Sequence, residues 1–463
     1  MSAQTTSIPA VILAAGEGSR LRGGDHAHPK PLTPLLGLTL LERSILSCRE
    51  AGVREFLVVV GYRKEEILPH VERLQERHGV TIQVVENPDW EAGNGTSVAA
   101  CAPYVSGPFL VLMSDHLFEP GLLERLMAAD NGSGGCLLAV DRRLADIFDF
   151  DDATLVRLEG EDVTAIGKGL EEPDAVDTGF FLCRPVLFEA LAKARKEGDG
   201  SLSGGIRRLT GDGRIRAVDI DGHFWFDVDT PEAIEAGEER LMARLKGAKR
   251  IDGPVSRHIN RFFSLKITRR LAPYPITPNQ VSVASCALGF LGAAFFFAMS
   301  LTAGHPWLAW LLAATAGLIV QASSILDGVD GEIARLKHQV TPYGAYFDYI
   351  LDRYVDGLIL IGMVYSSYVL SGSFSIIIVG FVALMGLPLS SVHRAKFLAK
   401  AKRNYLDEDD GLLRYFPHSR DVRLFVIFLG GIFNQLKLAI YFLAIVPNVV
   451  TLLRLYTVKK ALE

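Results

Sequence analysis

The segment IPAVILAAGEGSRL (residues 8–21) decides the first half of the fold, because an apolar run leads directly into a glycine-rich turn. Helix-period patterns and short apolar segments then alternate along the chain, at 38–51, 55–61, 63–78, 81–86 and 108–114. Such alternation is typical of βαβ units with a parallel sheet between two helical layers. The pattern predicts a Rossmann-like α/β domain whose ligands bind beyond the carboxyl ends of the strands.

The second half of the chain has a different composition. The 463 residues carry a net charge of -5, which divides into -12 for residues 1–250 and +7 for residues 251–463. The mean hydropathy of +0.24 is high for a water-soluble protein and excludes a disordered or fibrous chain. The five cysteines include no C-x-x-C pair and are expected to be reduced core residues. We therefore expect an acidic domain in water followed by a basic domain in lipid.

Apolar segments of membrane-spanning length fill this second half. Residues 254–271 mix Arg and Lys with Phe, Ile and Leu, as an interfacial amphipathic helix does. A spanning helix needs about 20 apolar residues. Segments of this kind follow at about 281–301, 307–326, 345–370, 373–392, 421–434 and 437–456. The last two could form one kinked span, so we expect an all-α polytopic membrane domain of about six transmembrane helices, with five as the alternative.

Loop charges predict how these helices are oriented in the cell membrane. The loops near 302–306 and 371–373 contain no Lys or Arg, whereas the loop at 393–423 contains eight. The positive-inside rule then predicts that this loop and both termini face the cytosol. The chain start does not resemble a signal peptide, since no positive charge precedes its apolar run. The expected organisation is a cytosolic domain at 1–235, a linker helix at 236–253, an interfacial helix at 254–273 and a membrane domain at 274–463.

Residues that suit a nucleoside triphosphate follow the first strand. Small residues let the backbone approach a nucleotide, and its N–H groups can point at phosphates. The residues concerned are Leu13, Ala14, Ala15, Gly16 and Gly18. Arg20 and Lys30 add positive charge as catalytic candidates. Together with Pro29-Lys30-Pro31-Leu32, this string resembles the sugar-phosphate nucleotidylyltransferase family over about residues 8–235.

That resemblance implies the other site residues of the first domain. Asp115 and Asp227 would bind Mg²⁺ or Mn²⁺, while Asp229 is either the alternative to Asp227 or the cap of the next helix. The resemblance implies Asn94, Gly95 and Thr96 as contacts of the nucleotide base. It implies Lys168 and Asp177 as contacts of the sugar phosphate. In this chemistry a phosphate monoester attacks the α-phosphorus and pyrophosphate leaves, so charge neutralisation matters more than a protein base.

Four carboxylates lie within the predicted spans or directly after one of them. Asp327 and Asp330 are three residues apart, and Asp348 and Asp352 are four apart, so each pair shares one helix face. Carboxylates in lipid are costly and are functional sites by default. Two divalent cations would stabilise the four groups and bind a diphosphate. The spacing therefore predicts a two-metal site.

The full spacing D-x2-D-G-x2-A-R-x8-G-x3-D-x3-D resembles the signature of the CDP-alcohol phosphotransferases, over about residues 255–460. This resemblance implies Asp327, Asp330 and Asp348 as metal ligands, with Asp352 as a ligand and as the base for the acceptor hydroxyl. The residues implied around CDP are Gly331, Ala334, Arg335 and Gly344. Arg420 and Arg423 are the preferred pair for a phosphorylated acceptor. Asp356, one turn further along, is expected to support the site or the fold.

The order of the two motifs predicts that the first product is the second substrate. The arrangement resembles a family of bifunctional enzymes that join an inositol-1-phosphate cytidylyltransferase to a CDP-inositol:inositol-1-phosphate transferase. This implies CTP, inositol 1-phosphate and CDP-inositol as partners and di-myo-inositol phosphate phosphate as product, with no nucleic acid. Small residues in the third and fifth spans would allow a homodimer.

Two other hypotheses remain open at this point. The membrane half could be a CDP-diacylglycerol-dependent phospholipid synthase, fused to a nucleotidyltransferase for another alcohol or sugar phosphate. A cation transporter with a nucleotide-sensing domain is disfavoured, because the Gly, Ala and Arg positions of the signature would have no role there. The residues of the first domain do not settle the base on their own.

Overall fold

A computed structural model describes residues 8–22, 28–132, 134–247, 253–403, 405, 409–411, 413 and 416–462. The chain divides into two compact units, Met1–Arg240 and Leu241–Glu463. Each unit has its own hydrophobic core. All five cysteines are buried and free, as expected of core thiols.

Strands and helices alternate through the first unit. Its strands are β1 Ala10–Ala14, β2 Pro34–Leu35, β3 Leu38–Thr39, β4 Glu55–Val60, β5 Thr81–Glu86, β6 Phe109–Met113, β7 His116–Phe118, β8 Cys136–Asp141, β9 Leu155–Glu159, β10 Asp162–Gly167, β11 Ala175–Cys183, β12 Ile215–Asp219 and β13 Trp225–Asp227. Its helices are α1 Leu40–Glu50, α2 Lys64–His78, α3 Asn94–Ala99, α4 Pro120–Ala128, α5 Val186–Lys196, α6 Leu202–Gly211 and α7 Pro231–Gly247, of which α7 runs into the second unit.

A nine-stranded mixed sheet with the order β5-β4-β1-β6-β11-β8-β12-β10-β9 forms the centre of this unit. β5, β4, β1 and β6 pair in parallel, which confirms the prediction for the first half. β11 pairs antiparallel with β6 and β8, whereas β12 pairs in parallel with β8, so the sheet is mixed beyond β6 and the expectation of a parallel sheet holds there only in part. The later strands include a hairpin, β9–β10, which turns at Gly160 with a φ of 67° and requires antiparallel pairing.

Two hydrophobic clusters cover the two faces of the sheet. Val11 and Leu13 of β1 belong to one cluster, and Ile12 and Ala14 belong to the other. Successive side chains of a strand point to opposite faces, so a strand covered on both sides is apolar throughout. This burial explains why β1 carries no polar side chain. The polar residues begin only in the loop that follows it, with Glu17, Ser19 and Arg20.

The second unit is helical throughout its described residues. A π-helical turn at Ser256–Asn260 leads into α8 Arg261–Leu271. The longer helices are α9 Pro278–Ala298, α10 Pro306–Leu336, α11 Pro342–Ser371, α12 Ser375–Ala401, α13 Arg420–Ile432 and α14 Leu436–Leu462. A capping box between Thr277 and Gln280 begins α9.

Four helical segments are long and apolar enough to cross a membrane, judged by length and composition over the described residues: 278–301, 306–336, 342–371 and 436–459. The apolar part of α12, Ser375–Leu389, is shorter, and α13 has 13 residues. The last two predicted segments form separate helices, α13 and α14, rather than one kinked span. The outcome is a helical membrane domain with six helices after α8, of which α12 has 27 residues in all and α13, with 13, is below the usual spanning length.

The amphipathic helix α8 buries its polar face. Ser264 Oγ and Thr268 Oγ1 donate hydrogen bonds to the Glu332 carboxylate of α10, at 2.7 and 2.6 Å. Phe262 and Phe263 are exposed on the other side. A polar contact with the bundle and an aromatic outer surface suit a helix lying at a lipid boundary.

Candidate active sites

The loop after β1 brings backbone rather than side chains to the carboxyl end of that strand. Residues 13–15 are buried, so their side chains belong to the core of the unit. Gly18 has a φ of 64°, and a Cβ there would lie 2.7 Å from Lys30 Cβ. Glycine at this position therefore permits both the conformation and the close approach of Lys30. A Cβ at Gly16 would meet nothing within 4 Å, so the loop is open there.

Pairing of β7 with β13 assembles an acidic cluster in contact with Lys30. Asp227 is the cross-strand partner of His116, and Asp115 directly precedes His116. His116 Nδ1 lies 2.9 Å from Asp115 Oδ1 and 3.6 Å from Asp227 Oδ1. One potential ligand atom from each of these three residues lies within 4.8 Å of the other two. The Asp115 carboxylate also forms an ion pair with Lys30.

The pKa values of the two carboxyl groups of this cluster are shifted in opposite directions. Burial alone would raise the pKa of Asp115, but the Lys30 ammonium and the His116 imidazole hold it well below its usual range. Burial raises the pKa of Asp227 to about 6. Asp227 Oδ1 is buried and has no hydrogen-bond partner among the described residues. A divalent cation would supply that missing partner, so the donor set fits a metal ion.

His116 belongs to this cluster although the sequence did not single it out as a site residue. It stacks on Trp225, with ring centroids 6.2 Å apart, and meets Phe180 edge-on. A Cβ at Gly179 would lie 2.7 Å from His116 Nε2. The sequence identified the neighbouring Asp115 as a candidate. The position of His116 opposite Asp227 depends on the pairing of β7 with β13, which the sequence does not reveal.

Asp229 lies outside the cluster and contacts Arg20, which follows the loop after β1. Arg20 Nη1 lies 2.8 Å from Asp229 Oδ2. The first turn of α7 is capped by Thr230, whose Oγ1 accepts a hydrogen bond from Ala233 N–H at 3.1 Å. The alternative role considered for Asp229, the helix cap, is thus filled by Thr230.

A carboxylate that the sequence did not reveal joins two of the predicted cationic residues. Asp152, between β8 and β9, contacts Lys168 through Oδ1 and Arg20 through Oδ2. All three side chains are well exposed. Asp152 stands in an acidic run at 149–152 that carries no motif, so only the structure reveals its partners.

The loop expected to contact the base is held by internal contacts. Asn94 Oδ1 accepts a hydrogen bond from Leu202 N–H at 2.8 Å. Thr96 is buried, and its hydroxyl is bonded within its own loop. A Cβ at Gly95 would lie 2.6 Å from Gly200 O. The side chains of Asn94 and Thr96 therefore maintain the shape of the loop.

Asp177 lies on β11 with its carboxylate turned toward its own strand. Its Oδ1 accepts a hydrogen bond from Gly179 N–H at 2.8 Å. Burial raises the pKa of Asp177 to about 6. Through Gly179, which contacts His116, this carboxylate is connected to the acidic cluster.

In the second unit, α10 and α11 bring three predicted carboxylates together. Ligand oxygens of Asp327, Asp348 and Asp352 lie within 4.8 Å of one another. The side chains of Asp327 and Asp352 are 27% and 16% exposed. An all-oxygen donor set that retains access to solvent suits Mg²⁺ or Mn²⁺.

Asp330, the fourth predicted carboxylate, is bonded to its neighbours. Its Oδ2 accepts a hydrogen bond from Ser282 Oγ of α9 at 2.5 Å, and its Oδ1 accepts one from Gly331 N–H. The predicted quartet thus consists of a group of three and a fourth carboxylate that faces α9.

The small residues of the signature follow Asp327 along the same helix face. Gly331 and Ala334 are four and seven residues further along α10, and Arg335 comes next. Gly344 donates its N–H to Thr341 Oγ1 at 2.9 Å, and a Cβ there would lie 3.1 Å from that oxygen. The small size of Gly344 therefore allows the Thr341 cap of α11 to form, in addition to any role in leaving room for a ligand.

The two predicted acceptor-binding arginines have different surroundings. Arg420, at the start of α13, contacts Asp327 at 3.1 Å and Asp352 at 2.9 Å. Arg423 is 4% exposed and donates to Leu387 O at 3.0 Å. Arg420 therefore lies at the carboxylates, and Arg423 lies in the protein interior.

Two family models match the chain and define its class. The model of the MobA-like NTP transferase domain matches residues 10–217, and that of the CDP-alcohol phosphatidyltransferases matches residues 275–416. The chain is thus a nucleotidyltransferase joined to a helical CDP-alcohol phosphotransferase domain. These families generally use divalent metal ions, in agreement with the two acidic clusters.

Relatives similar over the whole length narrow this class. A bifunctional IPC transferase and DIPP synthase of Rubrobacter xylanophilus is 39% identical over 457 residues, covering 98% of this chain and 97% of the relative. The protein of that name from Thermococcus kodakarensis is 35% identical, covering 97% of each. The chain belongs to the family of bifunctional IPC transferases and DIPP synthases. A solved inositol-1-phosphate CTP transferase from T. maritima is 27% identical, with a TM-score of 0.47, covering 52% of this chain and 96% of that one.

Proposed function

We propose that this chain catalyses two successive reactions of inositol 1-phosphate. The first unit transfers CMP from CTP to inositol 1-phosphate and releases pyrophosphate. The second unit transfers the inositol phosphate group of CDP-inositol to a second inositol 1-phosphate, releasing CMP and giving di-myo-inositol phosphate phosphate. The observation that carries the proposal is the pair of acidic clusters on one chain whose full-length relatives bear the bifunctional name.

In the first reaction a phosphate oxygen of inositol 1-phosphate attacks the α-phosphorus of CTP, and the bond to pyrophosphate breaks. This nucleophile is already anionic and needs no base, so the protein mainly orients the substrates and neutralises charge. The nucleotide loop binds the triphosphate through its backbone, while Arg20 and Lys30 supply positive charge. Lys168 binds the substrate phosphate, and Asp177 binds the inositol ring.

Asp115 and Asp227 bind Mg²⁺ or Mn²⁺ in this unit. The unpartnered oxygen of Asp227 and the charge-stabilised carboxylate of Asp115 support this assignment. When bound, the cation neutralises charge that develops on the α-phosphate. His116 orients the Asp115 carboxylate through its Nδ1 and lies 3.6 Å from the Asp227 carboxylate.

In the second reaction the acceptor hydroxyl attacks the phosphorus that bears the inositol group, and the bond to the CMP oxygen breaks. Asp352 accepts the proton of that hydroxyl. Asp327, Asp330, Asp348 and Asp352 would hold two divalent cations that neutralise the diphosphate. Gly331, Ala334 and Gly344 leave room for CDP, and Arg335 supports the site. Arg420, with Arg423 behind it, binds the phosphate of the acceptor.

We also propose a location in the cell membrane, with the first unit and both termini in the cytosol. The four long apolar helical segments and the eight basic residues at 393–423 support this topology. Part of that loop, at 404, 406–408, 412, 414 and 415, lies outside the described residues. CTP and inositol phosphates are dissolved on the cytosolic side, where both sites would need to open. A homodimer in the bilayer is part of the same proposal.

The experiment supplies the purified protein in detergent with CTP, Mg²⁺ and inositol 1-phosphate. Phosphorus NMR should detect CDP-inositol first, then CMP and the water-soluble diester. UTP and glycerol 3-phosphate serve as matched substitutes for the nucleotide and the alcohol phosphate. The inositol assignment is wrong if glycerol 3-phosphate is activated and inositol 1-phosphate is not. A product that partitions into organic solvent after addition of CDP-diacylglycerol would favour phospholipid synthesis.

A further inference from the structure

A fifth carboxylate, Asp356, lies beyond the four of the signature. It follows Asp352 by one turn of α11 and is only 7% exposed. Its Oδ1 accepts a hydrogen bond from Arg420 Nε at 3.0 Å. Its Oδ2 lies 3.5 Å from Arg353 Nη1 and 3.6 Å from Arg423 Nη2. Asp356 is therefore a buried carboxylate surrounded by three guanidinium groups.

These contacts separate Asp356 from the metal-binding candidates. Both of its oxygens face arginines, and it is not part of the group formed by Asp327, Asp348 and Asp352. What Asp356 contacts most closely is Arg420.

The guanidinium of Arg420 spans three carboxylates. Nε contacts Asp356, Nη2 contacts Asp352 at 2.9 Å, and Nη1 contacts Asp327 at 3.1 Å. The guanidinium is planar and rigid, so holding Nε fixes the directions of both Nη groups. An arginine anchored through Nε can exchange the partners of its Nη groups without leaving the site. A free arginine side chain would lose considerable rotamer entropy on each binding event.

We infer that Asp356 is the positioning residue of the transfer reaction. It holds Arg420 at the edge of the carboxylate cluster, so that the Nη groups meet the phosphate of the acceptor next to Asp352. This inference rests on the proposed function, because it takes a phosphorylated acceptor as the ligand of Arg420. The buried Nε–carboxylate bond is the contact that sets acceptor affinity.

The test measures the second reaction alone, in the full-length protein supplied with CDP-inositol and inositol 1-phosphate. Asp356→Asn should raise the KM for inositol 1-phosphate about tenfold, the scale of one charge-assisted hydrogen bond. The KM for CDP-inositol should change less than about twofold, since the CDP contacts are elsewhere. CDP-inositol formation from CTP by the same preparation reports that the variant is folded.

A double-mutant cycle separates positioning from general support of the fold. Arg420→Lys removes Nε, so adding Asp356→Asn to it should cause little further rise in the acceptor KM. Asp356→Glu keeps the charge and should restore part of the acceptor affinity. The matched control is Glu332→Gln, a buried carboxylate that faces α8 and should leave the acceptor KM unchanged.

Three results would overturn the inference: an unchanged acceptor KM in Asp356→Asn, an equal rise in both KM values, or additive effects in the double mutant. If Asp356→Asn does not fold, Arg420→Lys and Asp356→Glu still provide the comparison, since each must change the acceptor KM selectively. Failure of the wild-type protein to use inositol 1-phosphate as acceptor contradicts the proposed function instead. The two failures are therefore distinguishable.

Discussion

The two acidic clusters balance their charges in different ways. In the α/β unit, Asp115 is paired with Lys30, a residue fixed against Gly18 of the nucleotide loop. In the helical unit, Asp327 and Asp352 share the guanidinium of Arg420, which comes from another helix and is held by its own anchor. The first cluster has a fixed cation next to it, and the second has a cation that can change partners. The difference suits the substrates proposed for each site.

The two proposed reactions also place different chemical demands on the two clusters. The first reaction uses an anionic nucleophile, so a fixed lysine and a metal ion are sufficient beside the carboxylates. The second must remove a proton from a hydroxyl and bind an additional phosphate, which requires a base and a cation that can change partners. Substitutions in one cluster at a time show whether the two clusters work independently.

The largest effect should come from Asp352→Asn. Loss of a base typically costs about 10²- to 10⁴-fold, and loss of a metal ligand adds to this, so the second reaction should fall at least about 10³-fold. CDP-inositol should accumulate because the first cluster is untouched, and chromatography of the nucleotide products measures it. Glu332→Gln is the control. Loss of both reactions together would contradict independent sites.

Asp115→Asn should have the next largest effect, on the first reaction only. The change removes a metal-ligand candidate and leaves Lys30 without its carboxylate, so pyrophosphate release should fall about 10²-fold. The second reaction, supplied with CDP-inositol, should keep its wild-type rate. Asp151→Asn, an exposed change in the same unit, is the matched control. A parallel fall in the second reaction would show that the clusters are coupled.

The two clusters also differ in how far the sequence predicts them. Asp348 and Asp352 share a helix face because of their spacing, so this pair follows from a local pattern, whereas Asp327 of α10 joins them only in the folded unit. Asp115 and Asp227 meet only because β7 pairs with β13, and no local pattern places His116 opposite Asp227. Non-local strand pairing and side-chain orientation are set by tertiary packing.

The same limit applies to individual side chains within each cluster. Asp330 bonds to Ser282 of α9, whereas Asp327 lies beside the carboxylates of α11. This difference depends on how the helices pack against α10. The signature identified both carboxylates and could not distinguish their partners. Asp152 carried no signal at all, because an exposed acidic run is an ordinary surface feature.

A smaller effect concerns the stability of the α/β unit. The pKa of Asp177 is raised to about 6 by burial, so its ionised form costs stability above that pH. Asp177→Asn should therefore increase the free energy of unfolding at pH 8 by about 2 kcal/mol. The gain should shrink as the pH falls below about 6 and vanish below about pH 3, where the carboxyl is protonated in both states. Thermal unfolding at a series of pH values measures this.

The same variant should lose activity in the first reaction, because Asp177 is proposed to bind the inositol ring. A variant that is more stable but less active is typical of a site in which a buried charge is kept for function at a cost in stability. Asp174→Asn, on the exposed side of the same segment, is the control and should change neither. A variant destabilised at pH 8 would show that the ionised carboxylate supports the fold.

The smallest effect should be a gain in affinity at Asp152. Its carboxylate contacts both Arg20 and Lys168, the cations proposed to bind substrate phosphates, so these contacts must open before a phosphate can bridge them. Exposed ion pairs contribute little, so Asp152→Asn should lower the KM for inositol 1-phosphate only about threefold and leave kcat unchanged. Asp149→Asn, in the same acidic run, controls for net charge. A raised KM would instead make Asp152 part of the binding site, because a competitor for the cations and a ligand of the substrate affect KM in opposite directions.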